Sequence, residues 1–79
     1  MNLLQFNQLH DIQKEEIVFN KGTFLSTHHD GNHLFDTYRF DTFYVQFSYK
    51  IEGKDSLYIQ TSNDLLELIL CQFMNIYLN

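Results

Sequence analysis

The sequence predicts an α+β domain: a four-stranded antiparallel meander with an N-terminal helix and a C-terminal amphipathic helix packed on the sheet, in the order α-β-β-β-β-α. Two observations predict this class. Turn-forming residues divide the middle of the chain into strands with one shared apolar face, and the apolar residues after residue 62 recur with helical spacing. With 79 residues, the chain (1–79) is expected to be a single domain, because a second core would have too little surface to bury.

The N-terminal helix is predicted over residues 11–21. Glu15 and Glu16 favour helix over strand, and Asp11 is placed to cap the first turn. Gly22 is placed as the C′ residue at which helices commonly end. The apolar residues of this region do not fall on one clean stripe, so the helix is predicted from its end signals rather than from periodicity.

Three turn signals, at residues 30–32, 41–42 and 53–55, separate the four strands. A two-residue turn at 41–42 gives these pairs: Phe40 with Phe43, Tyr38 with Val45, Asp36 with Phe47 and Leu34 with Tyr49. A turn at 53–55 adds two more: Ile51 with Leu57 and Tyr49 with Ile59. Because both turns select the same buried face, the two registers support one meander.

The first strand is expected over about residues 23–29, with its register left open. Gly31 and Asn32 both adopt positive φ at low cost, so turns of two or three residues suit this sequence. A two-residue turn would point Leu25 towards the apolar face, whereas a three-residue turn would point Phe24 and His28 there.

The C-terminal helix is predicted to follow Ser62 as N-cap, with Asp64 in the first turn where its charge favours the helix dipole. One arc of this helix is apolar: Leu65, Leu66, Ile69, Leu70, Phe73, Met74, Ile76 and Tyr77. We expect this arc to share a core with the sheet aromatics Tyr38, Phe40, Phe43, Phe47 and Tyr49. Leu68 and Leu78 fall on the polar arc, and a core helix is favoured over one that also forms a dimer seam.

The charge balance excludes some classes of partner, and the apolar runs and the cysteine content indicate the cellular location. Ten acidic and five basic residues give an acidic chain of net charge −5, and its scattered cations argue against a nucleic-acid or anionic-membrane surface. The sequence has no apolar run long enough to span a bilayer and no signal peptide. Its lone Cys71 is interpreted as a buried thiol rather than a nucleophile, so we expect a cytoplasmic protein.

Residues 28–33, His-His-Asp-Gly-Asn-His, are the strongest candidate for a metal site, since imidazole and carboxylate groups bind zinc or copper. Adjacent strand residues point to opposite faces, so His28 and His29 would not both reach one ion, and a polar hairpin tip, with His33 across from them, is favoured. Asp36 falls on the apolar face, where we expect it to lie near the sheet edge or to pair with Arg39, a Tyr hydroxyl or a helix N-terminus.

The sheet face opposite the apolar one carries the candidate partner surface: Phe35, Arg39, Tyr44 and Tyr58. Arginine and aromatic side chains concentrate in the energetically important parts of protein interfaces. Two interpretations are equally favoured: this face binds a partner, or the N-terminal helix covers it.

Four segments of the chain form a characteristic order: Gly-Thr-Phe-Leu at 22–25, Tyr38 with Phe40, Phe-Tyr-Val-Gln-Phe-Ser-Tyr at 43–49, and Ser-Asn-Asp-Leu-Leu-Glu at 62–67. In this order they resemble a family of small uncharacterised bacterial α+β proteins with no known activity. The resemblance covers about residues 11–70 and implies the same fold. Gln46 stands where the family has Glu, and His28 stands where it has Arg. Any functional Glu–Arg pair of the family is therefore lost in this chain. Phe47 and residues 68–69 also depart from the pattern.

Catalytic motifs are absent from the sequence, so no enzyme activity, cofactor, bound metal or small-molecule substrate is predicted. The leading expectation is a non-enzymatic protein–protein interaction module that acts through the open sheet face or the helix edge, with an unidentified protein partner or as a homodimer. One alternative is a metal-binding protein or metal-dependent enzyme that uses the His-rich tip. Another is an acidic inhibitor or immunity-type protein that competes for a basic surface.

Overall fold

A computed structural model describes residues 1–51 and 57–70. It has the predicted α+β arrangement, with helices on either side of a four-stranded antiparallel sheet of order β1-β2-β3-β4. The elements are α1 (Leu3–Asn7), α2 (Asp11–Lys21), β1 (Thr23–Asp30), β2 (His33–Phe40), β3 (Phe43–Lys50) and β4 (Leu57–Ser62). Residues 65–70 are helical and are the described part of the C-terminal helix. Among the described residues, no helix is long and apolar enough to cross a bilayer.

The helix α2 has the predicted bounds, but both of its ends differ in detail from the prediction. Its N-cap is His10, and Asp11 lies in the first turn. Gly22 ends the helix with extended backbone, at φ −80° and ψ 164°, instead of the left-handed C′ conformation. Glycine is needed there for space, because a Cβ would lie 2.6 Å from the carbonyl oxygen of Val18.

A second N-terminal helix, α1, was not predicted. It begins at a reciprocal capping box: Asn2 Oδ1 accepts from the Gln5 N–H at 2.8 Å, and Gln5 Oε1 accepts from the Asn2 N–H at 2.9 Å. The helix has only five residues, too few to be stable alone, so its packing through Phe6 sustains it.

The hairpin of β2 and β3 has the predicted register, from Phe40 opposite Phe43 to Leu34 opposite Tyr49. Its two-residue turn places Asp41 at φ 57°, a conformation that Asp adopts more readily than most residues. The central register of the sheet therefore follows from the position of one turn.

The hairpin of β1 and β2 combines the two registers that the sequence left open. Its turn has two residues, with Gly31 at φ 59° and Asp30 paired with His33. A bulge between Phe24 and Ser26 then shifts the pairing, so that Phe24 lies opposite Tyr38. The two-residue turn is correct, but the bulge points Phe24 towards the apolar face in place of Leu25.

The predicted register of β3 and β4 is wrong by two residues. Tyr49 pairs with Leu57 and Phe47 with Ile59, instead of Ile51 with Leu57 and Tyr49 with Ile59. A shift of two keeps each side chain on its predicted face, because strand side chains alternate with a period of two. The turn expected at residues 53–55 lies outside the described residues.

The predicted apolar face is buried, but α1 and α2 cover it rather than the C-terminal helix. Phe6 of α1 lies 5.7 Å from Phe40 and 5.4 Å from Phe43, measured between ring centroids. The buried core on this side consists of Phe6, Val18, Phe40, Phe43, Val45 and Phe47. The expectation failed because helical periodicity shows that a helix has an apolar side, but not which sheet face that side meets.

Residues 65–70 lie against the opposite sheet face and do not bury the predicted apolar arc. Leu68, which falls on the polar arc, is 1% exposed, whereas Leu66 and Leu70 are 60% and 53% exposed. The Nε2 of Gln46, on that sheet face, donates to the carbonyl oxygen of Leu68 at 3.4 Å. The remaining predicted arc, from Phe73 to Tyr77, and Cys71 lie outside the described residues.

The C-terminal helix begins two residues later than predicted. Asp64 is its N-cap, since Asp64 Oδ1 accepts from the Leu66 N–H at 3.0 Å. Ser62 instead ends β4, where its Oγ accepts from the Asp64 N–H and donates to Glu67 Oε2, each at 3.0 Å. Strand, cap and first helical turn are thus tied together by side chains that the sequence had assigned to the helix alone.

Candidate functional site

The four residues of the sequence-predicted partner surface share one sheet face, but they do not form one accessible surface. Arg39 lies opposite Tyr44, and Tyr58 lies opposite Ser48. These two positions are four residues apart along β3, about 13 Å at the rise of a strand. Arg39 and Tyr58 are exposed, and Tyr44 is half-buried. The surface therefore divides into an Arg39–Tyr44 pair and a separate Tyr58.

Phe35 is the member of that set that the structure corrects. It is 1% exposed, and its ring centroid lies 6.0 Å from that of His28 and 6.2 Å from that of His33, which is stacked at 17°. Two imidazoles thus cover Phe35 on the face where residues 65–70 also pack. Phe35 belongs to the interior and is not available to a partner.

The centre of this face is a buried polar row in which Thr37 pairs with Gln46 and Gln46 with Gln60. Gln46 is 0% exposed, and its Nε2 donates to Thr37 Oγ1 and to the Leu68 carbonyl oxygen, both at 3.4 Å. Its Oε1 and that of Gln60 have no hydrogen-bond partner among the described residues. The sequence placed Gln46 on an open face, and the burial came from the helix that crosses above it.

The His-rich tip separates its imidazoles as expected for a strand. His28, Asp30 and His33 share the face of Phe35, and His29 lies on the other face opposite Leu34. Within residues 1–51 and 57–70, no three His, Cys, Asp or Glu side chains are grouped so as to hold a metal ion. The ring contacts with Phe35 give His28 and His33 a packing role.

Asp36 lies on the apolar face, where two hydroxyl groups donate hydrogen bonds to its carboxylate. Thr27 Oγ1 donates to Asp36 Oδ1 at 2.7 Å, and the Tyr49 hydroxyl donates to Asp36 Oδ2 at 3.1 Å. Pairing with a Tyr hydroxyl was one of the expected arrangements. Burial raises the pKa of Tyr49, and the charge and hydrogen bond of Asp36 raise it further. Burial followed by the Asp36 charge also raises the pKa of Tyr38, so both phenols stay protonated at neutral pH.

Sequence reasoning missed the most accessible aromatic cluster, which lies along the edge strand β1. Phe19 and Phe24 are 57% and 54% exposed, and their ring centroids lie 5.7 Å and 5.4 Å from that of Tyr38. Leu25, at the bulge, is 42% exposed. We call Phe19, Phe24, Leu25 and Tyr38 the β1 patch. The sequence assigned Tyr38 to the core, and the half-buried Tyr38 does pack against that core, beside the two exposed phenylalanines.

Comparison of the chain with protein families, with curated proteins and with solved structures finds no match. The resemblance to the small bacterial family therefore stays a prediction.

Proposed function

We propose that this chain is a non-enzymatic protein–protein interaction module that forms a homodimer, with the second copy bound along β1 and the β1 patch. The observation that carries the proposal is an edge strand whose residues 23–27 are all exposed, beside two half-exposed phenylalanines, Phe19 and Phe24. Exposed apolar patches on small proteins mark interaction surfaces.

The β1 edge has the chemistry of a strand that accepts another strand. An edge strand presents a row of backbone N–H and C=O groups, and proteins commonly shield it with Lys, Pro or a bulge. Residues 23–27, Thr-Phe-Leu-Ser-Thr, contain no charge and no Pro, so the bulge next to Leu25 is the one feature of this stretch that shields the edge. Strand addition at this edge would supply main-chain hydrogen bonds, with Phe24 as an apolar anchor.

Charge favours a second copy as the occupant. The chain has a net charge of −5, so two copies repel over most of their surfaces, and an uncharged strip is where they approach at the lowest electrostatic cost. In an antiparallel β1–β1 pair, a two-fold axis brings the same residues together from both copies. Phe24 and Leu25 of each copy would then be buried by the other.

The groups that the sequence singled out for chemistry support a non-enzymatic function through the roles they already have. Asp36 accepts hydrogen bonds from Thr27 and Tyr49. His28 and His33 pack on Phe35. Each of these side chains therefore has a structural partner that accounts for its position.

The test is the oligomeric state of the purified chain across a wide range of concentration. We expect sedimentation to show a concentration-dependent monomer–dimer equilibrium for the wild type. Phe24→Glu should shift this equilibrium to monomer, because it places two like charges in the symmetric interface. Tyr58→Glu is the matched control: Tyr58 is 56% exposed, as Phe24 is 54%, but lies on the other edge strand.

A strictly monomeric wild type, or a dimer that Phe24→Glu leaves intact, would contradict the proposal. If Tyr58→Glu alone disrupts the dimer, the partner surface lies at Tyr58 on the sheet face that the sequence predicted. Circular dichroism of both variants keeps loss of folding distinct from loss of association.

The two alternatives rest on weaker observations. A metal-binding function is supported by His28, Asp30 and His33 sharing one face of the hairpin. An inhibitor of a basic partner is supported by the net charge alone. Neither observation places a ligand or a partner at a defined surface.

A further inference from the structure

The two ends of the edge strand β1 carry opposite charges on the same sheet face. At its start, Thr23 lies opposite Arg39 of β2, and at its end, Asp30 lies opposite His33. Because His33 and Arg39 are an even number of residues apart on β2, both pairs share the face that α1 and α2 do not cover. Arg39 is exposed and Asp30 is half-buried, and neither makes an ion pair with another described residue.

Thr27 is the midpoint between these two charges. Asp30 lies three positions from Thr27 along β1, and Arg39 lies three positions from Asp36, the cross-strand neighbour of Thr27, along β2. The bulge at Leu25 makes the two distances equal, because it lets one more residue of β1 cover the same length of β2. A two-fold axis at Thr27 would therefore bring each Arg39 level with the Asp30 of a second copy.

The backbone of Thr27 faces the open edge of the sheet. The Ile51 N–H donates to the carbonyl oxygen of Asn32 at 2.8 Å, so the backbone of Asn32 is directed at β3. Hydrogen bonding to a neighbouring strand alternates along an antiparallel strand, so the backbone of Asp36, four residues later, is also directed at β3. The N–H and C=O of Thr27 then point away from β2, where another strand can bond to them.

We propose that two copies pair through β1 about a two-fold axis at Thr27, normal to the sheet, and that Arg39 of each copy forms an ion pair with Asp30 of the other. The inference rests on the proposed homodimer and fixes its register. Arg39 is then two strand spacings from Asp30 of the second copy, about 10 Å between backbones. The two side chains span this distance over Thr23, whose short side chain lies between them.

This register also gives the other side chains near the axis suitable neighbours. On the face that α1 and α2 cover, Phe24 falls beside His29 of the second copy. Lys21, the last residue of α2, adds positive charge at the start of β1. The two Asp36 carboxylates stand three strand spacings apart, about 14 Å, beyond the roughly 8 Å over which salt screens charges. Two copies of net charge −5 thus meet where opposite charges face each other and like charges stay apart.

Two charge-reversal variants of the full chain test the pairing, with sedimentation as the measurement. Arg39→Glu and Asp30→Lys each replace two attractive contacts of the homodimer by two repulsive ones, so each should raise the dimer Kd about tenfold, the scale of two exposed ion pairs. In an equimolar mixture of the two variants, each mixed dimer has the new glutamate opposite the new lysine, and Asp30 opposite Arg39. Association of the mixture should therefore return to within about twofold of the wild type.

Lys50→Glu is the matched control, because it makes the same change of net charge on the same sheet face. Lys50 lies on β3, beyond His33 and two strands from the β1 edge, so its reversal should leave the Kd within about twofold of the wild type. Salt at about 1 M should reduce the difference between Arg39→Glu and the wild type, since it screens exposed charges. Circular dichroism of each variant measures folding separately from association.

Several outcomes would overturn the ion pairs. These are equal weakening by Lys50→Glu and Arg39→Glu, or a mixture that associates no better than either variant alone. If Phe24→Glu dissociates the wild-type dimer but both charge reversals leave its Kd unchanged, the β1 dimer stands and this register is wrong. A monomeric wild type refutes the dimer and the register together.

Discussion

Asp36 shows how a single polar side chain is accommodated on a buried face. A carboxylate that leaves water needs hydrogen-bond donors, and Thr27 and Tyr49 supply one to each of its oxygens. The arrangement couples Asp36 to Tyr49, because the neutral phenol donates the hydrogen bond and the phenolate would be repelled. The raised pKa of Tyr49 follows from burial first and from Asp36 second.

This coupling predicts a loss of stability at alkaline pH. The pKa of Tyr49 in the folded chain lies above its unfolded value of 10.0, so above about pH 10 the unfolded chain releases this proton before the folded chain does. The contribution of Tyr49 to stability is therefore fully present below pH 10 and decreases as the pH rises through the folded pKa. Urea unfolding midpoints measured from about pH 9 to about pH 11 should fall for the wild type.

The Asp36→Asn variant separates the two causes. It removes the charge but not the burial, so the alkaline decrease should become shallower without disappearing, and Tyr49→Phe should reduce it further. Tyr38→Phe is the control for the second tyrosine, whose pKa is also raised. A pH profile that is the same in all four proteins would exclude Asp36 as a cause.

At the scale of the element, the C-terminal helix shows that amphipathicity alone does not assign a buried side. Leu66 and Leu70 belong to the predicted apolar arc but are exposed, whereas Leu68 is buried and its carbonyl oxygen accepts a hydrogen bond from Gln46 Nε2. The exposed arc then faces away from that sheet face.

Two alanine substitutions test this orientation. Leu68→Ala should lower the free energy of unfolding by about 2–5 kcal/mol, the usual range for a fully buried leucine. Leu66→Ala, at a position two residues earlier that is 60% exposed, should change it by less than about 0.5 kcal/mol. Chemical denaturation of both variants measures the difference, and the opposite ranking would mean that the predicted arc faces the sheet.

At the scale of the whole molecule, the accessible strand surface lies at the sheet edges, because helices cover both sheet faces. α1 and α2 occupy one face and residues 65–70 the other. Strand β1 is one edge, and its first five residues are exposed. For a small domain, which buries only about 60% of its unfolded surface, burying such an edge against a second copy adds apolar contact that the monomer lacks.

A homodimer of this kind links stability to concentration. Because dissociation precedes unfolding, the thermal midpoint Tm of the wild type should rise as protein concentration rises. The Tm of Phe24→Glu should be independent of concentration, and that of Tyr58→Glu should behave as the wild type does. Scanning calorimetry at several concentrations measures this, and a flat wild-type Tm would contradict the β1 dimer.

The sequence by itself determined the features that depend on local chemistry. The turn at 41–42 set the central register, and the bounds of α2 followed from its composition and from Gly22. Strand alternation assigned each side chain of β2, β3 and β4 to the correct face, although the predicted β4 register was wrong by two residues. These features are local because turns, end signals and a period of two act within a few residues of the chain.

Only the tertiary structure decided what covers each face. The burial of Phe35 and Gln46, the exposure of Leu66 and the accessible edge at Phe24 depend on where the helices pack. The sequence shows which sides of a helix or sheet are apolar, but the choice between two faces is made by chain connections and by the free energy of all contacts together. The partner surface that we propose therefore lies on the edge strand β1, where the fold leaves Phe19 and Phe24 exposed, rather than on the predicted open face.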